Sequence, residues 1–364
     1  MTGEAVRMPA LPLLLAGCLA ANASEWRSMV GGEFNADSHG VADVGWRSGP
    51  WQAQLVTDTL DVRWQPERDG GRSWVAARTA LGAAGLMISP WSDGAPLPGA
   101  ALSAFYAGPE GGNVWYLRDG LYTAVDGRIQ WWWFGATRRS ARTIPDRQLR
   151  GEVAHSVGWW STNGHVWLRG GGHLAPVGEQ TGLDPQAGPE ARTVSGNPVP
   201  NRGAPVQPFV QFVATSRPEA WKVAPRAELR AGWSRGQDAI SRTRLGGLNP
   251  YVVPVAGAAW AEFWVDTYAA VRFGPSLQAG PIRIDAVIDA ALWNDALDWG
   301  GTPSAEPADR AVGMGVLTRL QPNRLFLDLD AGVAPRLRRP VGSAWSVWSV
   351  LGVDWGSRRI RQAP

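Results

Sequence analysis

Through the second half of the chain, apolar and polar residues alternate. Between positions 259 and 273 one parity reads Ala259, Ala261, Phe263, Val265, Thr267, Ala269, Val271 and Phe273, without a charge. The other reads Trp260, Glu262, Trp264, Asp266, Tyr268, Ala270 and Arg272. A two-residue period is that of a β-strand, whose successive side chains point to opposite faces. The pattern returns five times. Ile282, Ile284, Ala286, Ile288, Ala290 and Leu292 run against Arg283, Asp285 and Asp289. Leu325, Leu327, Leu329, Ala331 and Val333 oppose Asp328 and Asp330, and Val223, Ala227, Leu229, Ala231 and Trp233 oppose Lys222, Arg226, Glu228 and Arg230. Val312, Met314, Val316, Thr318 and Leu320 oppose Arg319, and Trp345, Val347, Leu351, Val353 and Trp355 oppose Asp354.

These runs last about 10 to 15 residues, twice an ordinary globular strand and enough for a tilted strand to cross a bilayer. The connections between them alternate in length. Positions 334–344, 294–310, 235–258, 171–207 and 135–150 read as long loops. Positions 321–323, 274–280, 216–220 and 162–164 read as short turns. That rhythm is the one found in outer-membrane barrels. Earlier in the chain the candidate strands are 26–34, 41–47, 51–64, 72–89, 100–107, 113–118, 121–126 and 128–134. Leu55 and Leu60 fall on opposite parities, which suggests a bulge within 51–64. The expected fold is all-β, an antiparallel transmembrane β-barrel of about 14 to 18 strands, with 16 chosen because bacterial barrels have even counts.

The first residues read as an export address. Arg7 precedes an apolar core from Leu11 to Ala21, and Ala21-Asn22-Ala23 is a small-residue cleavage pattern. Cleavage after Ala23 makes 1–23 a signal peptide, 24–356 the barrel and 357–364 a tail. Leu15-Ala16-Gly17-Cys18 is a competing signal, with Cys18 as a lipidation site. As the chain's only cysteine, Cys18 also excludes an intrachain disulfide.

Composition narrows the function. Charged residues are only 18% of the chain and the formal net charge is +3, with no long basic run, so nucleic acid is not an expected partner. The 22 tryptophans outnumber the 5 tyrosines and 8 phenylalanines together. Trp131 to Trp133, Trp159, Trp160, Trp293, Trp299, Trp345, Trp348 and Trp355 lie near proposed strand ends, where an indole suits the membrane interface. Trp260 and Trp264 share parity with charges and are candidates for a sugar-stacking track in the lumen.

The charged parity defines the other lumen candidates: Arg226, Glu228, Arg230, Glu262, Asp266, Arg272, Arg283, Asp285, Asp289, Arg319, Asp328 and Asp330. Both signs are present in similar number, which predicts ion pairs across the lumen or a transverse field at a constriction. A one-signed selective wall is not expected. His155-Ser156 brings lipid-facing hydrolases to mind, but neighbours in a strand face opposite ways, and no triad can be assembled. No enzyme, metal or cofactor is expected.

Taken together, the signal, the alternating strands, the aromatic ends and the loop rhythm resemble those of Gram-negative outer-membrane β-barrels. The segment Arg244-Leu245-Gly246-Gly247-Leu248-Asn249-Pro250-Tyr251 resembles the glycine-rich stretch of Omp85-type barrels, although their Arg-Gly-Phe/Tyr loop motif is missing here. The resulting expectation is a channel or export pore of the bacterial outer membrane. Its lumen would carry mixed charge and be partly occluded by 171–207 or 235–258. The expected partners are outer-membrane lipids, the barrel-assembly machinery, and a small solute or polysaccharide. An Omp85-like assembly or secretion barrel is one alternative. A secreted soluble β-protein that binds glycans through tryptophan is the other.

Overall fold

A computed structural model describes residues 25–34, 38–57, 59–68, 70–80, 86–88, 91–92, 95–96, 100–140, 147–174, 206–216, 222–235, 243–248, 252–258, 262–294, 310–335, 337 and 344–354. The signal segment with Cys18 and Ala23, and the tail, lie outside them. Among the described residues there is no helix.

Sixteen strands form the wall. In chain order they are β1 (Glu25–Phe34), β2 (Ser38–Ser48), β3 (Trp51–Val56), β4 (Thr59–Trp64), β5 (Gly71–Ala80), β6 (Ala100–Arg118), β7 (Leu121–Ser140) and β8 (Arg147–Ser161). The series continues with β9 (Gly164–Leu174), β10 (Val206–Ser216), β11 (Val223–Ser234), β12 (Thr267–Ala279), β13 (Ile282–Asn294), β14 (Arg310–Leu320), β15 (Leu325–Val333) and β16 (Trp345–Asp354). Each pairs antiparallel with the next, and β16 returns to β1 from Arg27↔Asp354 to Phe34↔Val347. Closure removes every free edge, as a sheet in lipid requires.

Strand β13 shows why this sequence makes a wall. Its outward residues Ile282, Ile284, Ile288 and Leu292 are exposed, whereas Asp285, Val287, Asp289, Ala291 and Trp293 point inward and are buried. An exposed apolar row facing a buried charged row is inverted for water and correct for a bilayer. The same inversion runs around the barrel, with Val153, Leu168, Val210, Leu229, Phe273, Met314, Leu329 and Leu351 all outward and exposed. Exposed indoles bound this belt. Trp51, Trp64, Trp115 and Trp159 stand at the end of the short turns, and Trp131, Trp133, Trp233 and Trp345 toward the end of the long connections. Trp132, Trp293 and Trp348 are instead buried inside the barrel, because each falls on the inward parity of its strand.

Several boundaries differ from the sequence expectation. The 51–64 segment is two strands joined by a hairpin, and Leu55 and Leu60 are cross-strand partners, not residues on either side of a bulge. The proposed pairs 100–107 with 113–118, and 121–126 with 128–134, are the single strands β6 and β7. The ladder between them runs through Gly111, Gly112 and Gly127. The 72–89 segment is divided into β5 and a short strand, Leu86–Ile88, that also pairs with β6. Positions 274–280 are not a turn: β12 continues to Ala279 and the chain reverses at 280–281. Strand β7 extends to Ser140 and β9 to Leu174, which shortens the loops expected at 135–150 and 171–207.

The lipid-facing role of β13 gives a depth-dependent prediction. Ile288→Arg, near mid-strand, is expected to destabilise the folded barrel by about 2 to 4 kcal/mol, and Leu292→Arg, near the rim, by about 0 to 1 kcal/mol. Reversible denaturant unfolding in lipid vesicles measures both.

Candidate functional site: an inward-folded segment and its seat

Between β11 and β12 the chain leaves the wall and enters the lumen. Thr243–Leu245 pairs antiparallel with Phe263–Val265, and isolated bridges join Leu245 to Val253 and Gly247 to Val255. This corrects the reading of 259–273 as one wall strand. Only the part from Thr267 belongs to the wall, and Val265, placed on the lipid-facing parity, is fully buried inside.

The segment is apolar because it must fill space. Leu245, Val255, Ala256, Ala258 and Val265 are each 0% exposed, inside the barrel. They pack on one arc of the inner wall. Leu245, Val253, Val255 and Val265 meet Tyr268, Ala270, Ala291, Trp293 and Ala311. Phe263 closes on Trp293 with ring centroids 4.4 Å apart. Leu248 and Ala256 join a second cluster with Met29, Val287, Leu317, Phe326, Trp348 and Val350. The plug is thus a small hydrophobic core built inside a barrel.

Polar pins fix its register. The Leu248 amide donates to a Glu33 carboxylate oxygen at 3.3 Å, the Ala256 amide to Asp289 Oδ2 at 2.8 Å, and the Gly257 amide to Ser346 Oγ at 3.0 Å. Those acceptors come from β1, β13 and β16. From β11, Arg230 Nη1 donates to the Val252 carbonyl at 3.5 Å. Asp289 is itself gripped by Arg272, whose Nε and Nη2 donate to Oδ1 and Oδ2, both at 2.7 Å. A carboxylate with two guanidinium bonds and one amide bond is satisfied, so its burial is tolerable.

Two glycines are required by the docking. Gly247 has φ +86°, and a Cβ there would lie 2.5 Å from the Glu33 carboxylate. Gly257 has φ +82°, and its Cβ would lie 2.1 Å from the Ala334 amide nitrogen. Both combine a left-handed backbone with contact too close for any side chain.

Many of the residues chosen from parity line the wall beside the plug. Arg226 reaches Asp285 and, at 4.0 Å, Glu228; Glu228 also holds Arg230. Arg283 lies 3.4 Å from Asp285, and Arg319 3.0 Å from Asp328. Asp330 accepts from the Thr318 amide at 2.9 Å. Glu262 is buried in the inward segment, and the Asp266 carbonyl accepts from Ser234 Oγ at 2.9 Å at the junction with β12. Trp264 pairs with Arg244 in the inner hairpin, and Trp260 lies outside the described residues.

Sequence reasoning missed a further set of lumen charges. Arg78 lies 2.8 Å from Asp61 and 3.1 Å from Glu110, and Arg63 lies 3.3 Å from Glu110. Glu152 gathers Arg128, Arg169 and His173, while Arg169 also holds Asp126. The signal was the same charged parity in β4 to β9, hidden there by uncertain strand limits.

Among the described residues, His155 and Ser156 point to opposite faces. His155 faces outward, with its Nε2 2.8 Å from Thr123 Oγ1, while Ser156 lies on the inward parity. His165 engages the Tyr122 hydroxyl at 2.8 Å. Arg244, deep in the lumen on the inner hairpin, is lowered to about 10 by loss of hydration and remains cationic at neutral pH. Among the described residues, the lumen is lined by ion pairs and holds an inward-folded segment.

No protein-family model and no curated protein sequence matches the chain. Solved structures do resemble it. CdiB from Acinetobacter baumannii aligns with a TM-score of 0.62 at 10% identity, covering 92% of this chain and 60% of that one. BamA from Haemophilus ducreyi lacking POTRA domains 1-3 aligns at 0.57 and 10% identity, covering 92% and 70%. CdiB from Escherichia coli aligns at 0.54 and 11% identity, covering 92% and 63%. The chain therefore spans about 60% of the length of the first of these, and it has the fold of bacterial outer-membrane barrels.

The seat can be tested without reference to function. Gly257→Val combines a strained φ with a backbone clash and should unseat the segment. Limited proteolysis of the folded barrel in detergent is then expected to cut within 235–266 at least about tenfold faster than in the wild type, as for a local opening made easier by about 1.4 kcal/mol or more.

Proposed function

We propose that the chain is an outer-membrane pore of the export type, held shut at rest by the segment 243–265. The observation that carries this reading is the docking itself. Three backbone amides of a lumenal segment are held by side chains from three wall strands, and Asp289 is the central one. A passive diffusion channel has no use for a pinned apolar plug. A pore that must stay closed until a cargo or partner engages it does.

The lumen supports the same conclusion. Its charges are arranged as pairs from neighbouring strands, such as Arg272 with Asp289 and Arg169 with Glu152, so no one-signed track is offered to permeating ions. Residues Arg226, Glu228, Arg230, Arg272, Arg283, Asp285, Asp289, Arg319, Asp328 and Asp330 act in this reading as the plug's wall and not as a selectivity filter.

An Omp85-like assembly or secretion barrel is the second reading. It is favoured by the fold likeness to CdiB and BamA and by the glycine-rich Arg244–Tyr251 segment, part of which docks in the lumen. A soluble glycan-binding protein is disfavoured by the apolar outer belt between two rows of exposed indoles.

Planar-bilayer recording tests the proposal. The wild-type barrel is expected to conduct weakly and in brief openings. Glu33→Gln with Asp289→Asn, which weakens two pins while keeping side-chain size, is expected to raise mean conductance about tenfold or more, because a buried charged hydrogen bond contributes about 1.5 to 3 kcal/mol. Steady, large wild-type conductance unaffected by the double variant would refute the gate.

A further inference from the structure

One sector of the outer wall is not built for lipid alone. His155, on β8, is exposed on the outward parity between Val153 and Val157. Trp159, on the same face and nearer the short turn, marks the edge of the apolar belt. At about 3.3 Å per residue and a tilt of about 40°, His155 lies about 10 Å inside that edge, among hydrocarbon. Among the described side chains it is the one ionisable group on the outward parity away from the strand ends. An ionisable residue at membrane depth calls for a partner.

Its neighbours are polar too. His155 Nε2 lies 2.8 Å from Thr123 Oγ1, and that hydroxyl donates to the Ser156 carbonyl at 3.2 Å. With the hydroxyl proton used there, Nε2 supplies the proton of the first contact, and Nδ1 is left as an acceptor. Ser73 and Asn113 lie in the same row of the sheet: Ser73 pairs with Asn113, Asn113 with Val125, and Val125 with His155. The Ser73 hydroxyl donates to Asn113 Oδ1, and among the described residues no acceptor meets the Asn113 Nδ2 group. The row thus carries a donor and an acceptor two strands, or about 10 Å, apart.

Lipid tails satisfy neither group, and leaving them unpaired in hydrocarbon is costly. The row complements itself and carries no fixed charge. A second copy related by a two-fold axis therefore presents acceptor to donor and donor to acceptor, as an isologous contact requires. The surface around the row is low, because Gly111, Gly127 and Gly170 share the outward parity, and small residues let two membrane faces approach closely. We infer that the outer faces of β5 to β9 form a lateral contact with a second copy of this chain, in which Asn113 and His155 supply the hydrogen-bonding groups. The inference does not depend on whether the pore is gated.

Single-molecule photobleaching of the labelled full chain in lipid vesicles, over a range of protein-to-lipid ratios, tests this. The wild type is expected to pass from one-step to two-step bleaching as its density rises. His155→Leu with Thr123→Val makes the row apolar and is expected to weaken pairing about tenfold or more. Gly170→Leu tests the approach itself. A Cβ at Gly170 meets no atom beyond its chain neighbours nearer than 3.8 Å, so the barrel accepts the side chain while its bulk stands in the contact. It is expected to weaken pairing by a similar factor. At densities where the wild type is monomeric, neither variant is expected to lower the denaturant midpoint, whereas side chains serving only the fold would lower it. A wild type that stays monomeric at every density, including one that retains a lipid in place of a second copy, would overturn the inference. So would pairing that both variants leave intact, or a lowered midpoint in the double variant.

Discussion

Hydrocarbon offers no partner to a peptide group, and that one constraint organises the molecule. Every amide and carbonyl crossing the membrane must be paired within the protein. A chain without long apolar helices meets this only by closing its sheet. Joining β16 to β1 therefore does more than complete a count: it permits the outward row of every strand to be apolar and exposed. Once the cylinder is closed, the inward row is freed from lipid and can carry charge. The plug and the ion pairs both depend on that freedom.

A closed cylinder creates a second constraint, since sixteen strands enclose more space than their own side chains fill. This protein divides the space. One arc is filled by folding a loop inward and giving it a core. The other is lined by arginines and carboxylates drawn from adjacent strands. Asp289 belongs to both solutions, because it accepts from Arg272 on the wall and from Ala256 on the plug.

Much of the wall was legible from the sequence, because a two-residue period survives without knowledge of any neighbour. In β13 the parity of Ile288 and Asp289 alone separates lipid from lumen. Positions 235–258 were expected to occlude the lumen, but that Phe263–Val265 joins them there was not legible, for the same reason. Phe263–Val265 is also a pleated strand, so alternation carries through from 259 to 273 although the chain turns from plug to wall near Asp266. Periodicity reports that a segment is a strand, not which sheet it joins. The hairpin between β3 and β4 was hidden differently: the sequence between them, Thr57-Asp58, lacks glycine and proline, the residues by which turns announce themselves. The plug pins were beyond reach, since Glu33 and Leu248 are distant in sequence and meet only through closure.

The shortness of β3 and β4 has a consequence for the surrounding membrane. Each contains six residues. At a rise of about 3.3 Å per residue and a tilt of about 40°, such a strand climbs roughly 15 Å, half of a typical hydrocarbon core. Lipids beside this hairpin meet a hydrophobic mismatch that those beside β7 and β8 do not. Their chains must compress or splay there, so the annulus around the barrel is thin in one sector. That sector lies next to β2, one strand from the pairing that closes the cylinder. Bilayer thickness therefore becomes a force applied unevenly to the barrel, and it is greatest near the pairing of β1 with β16.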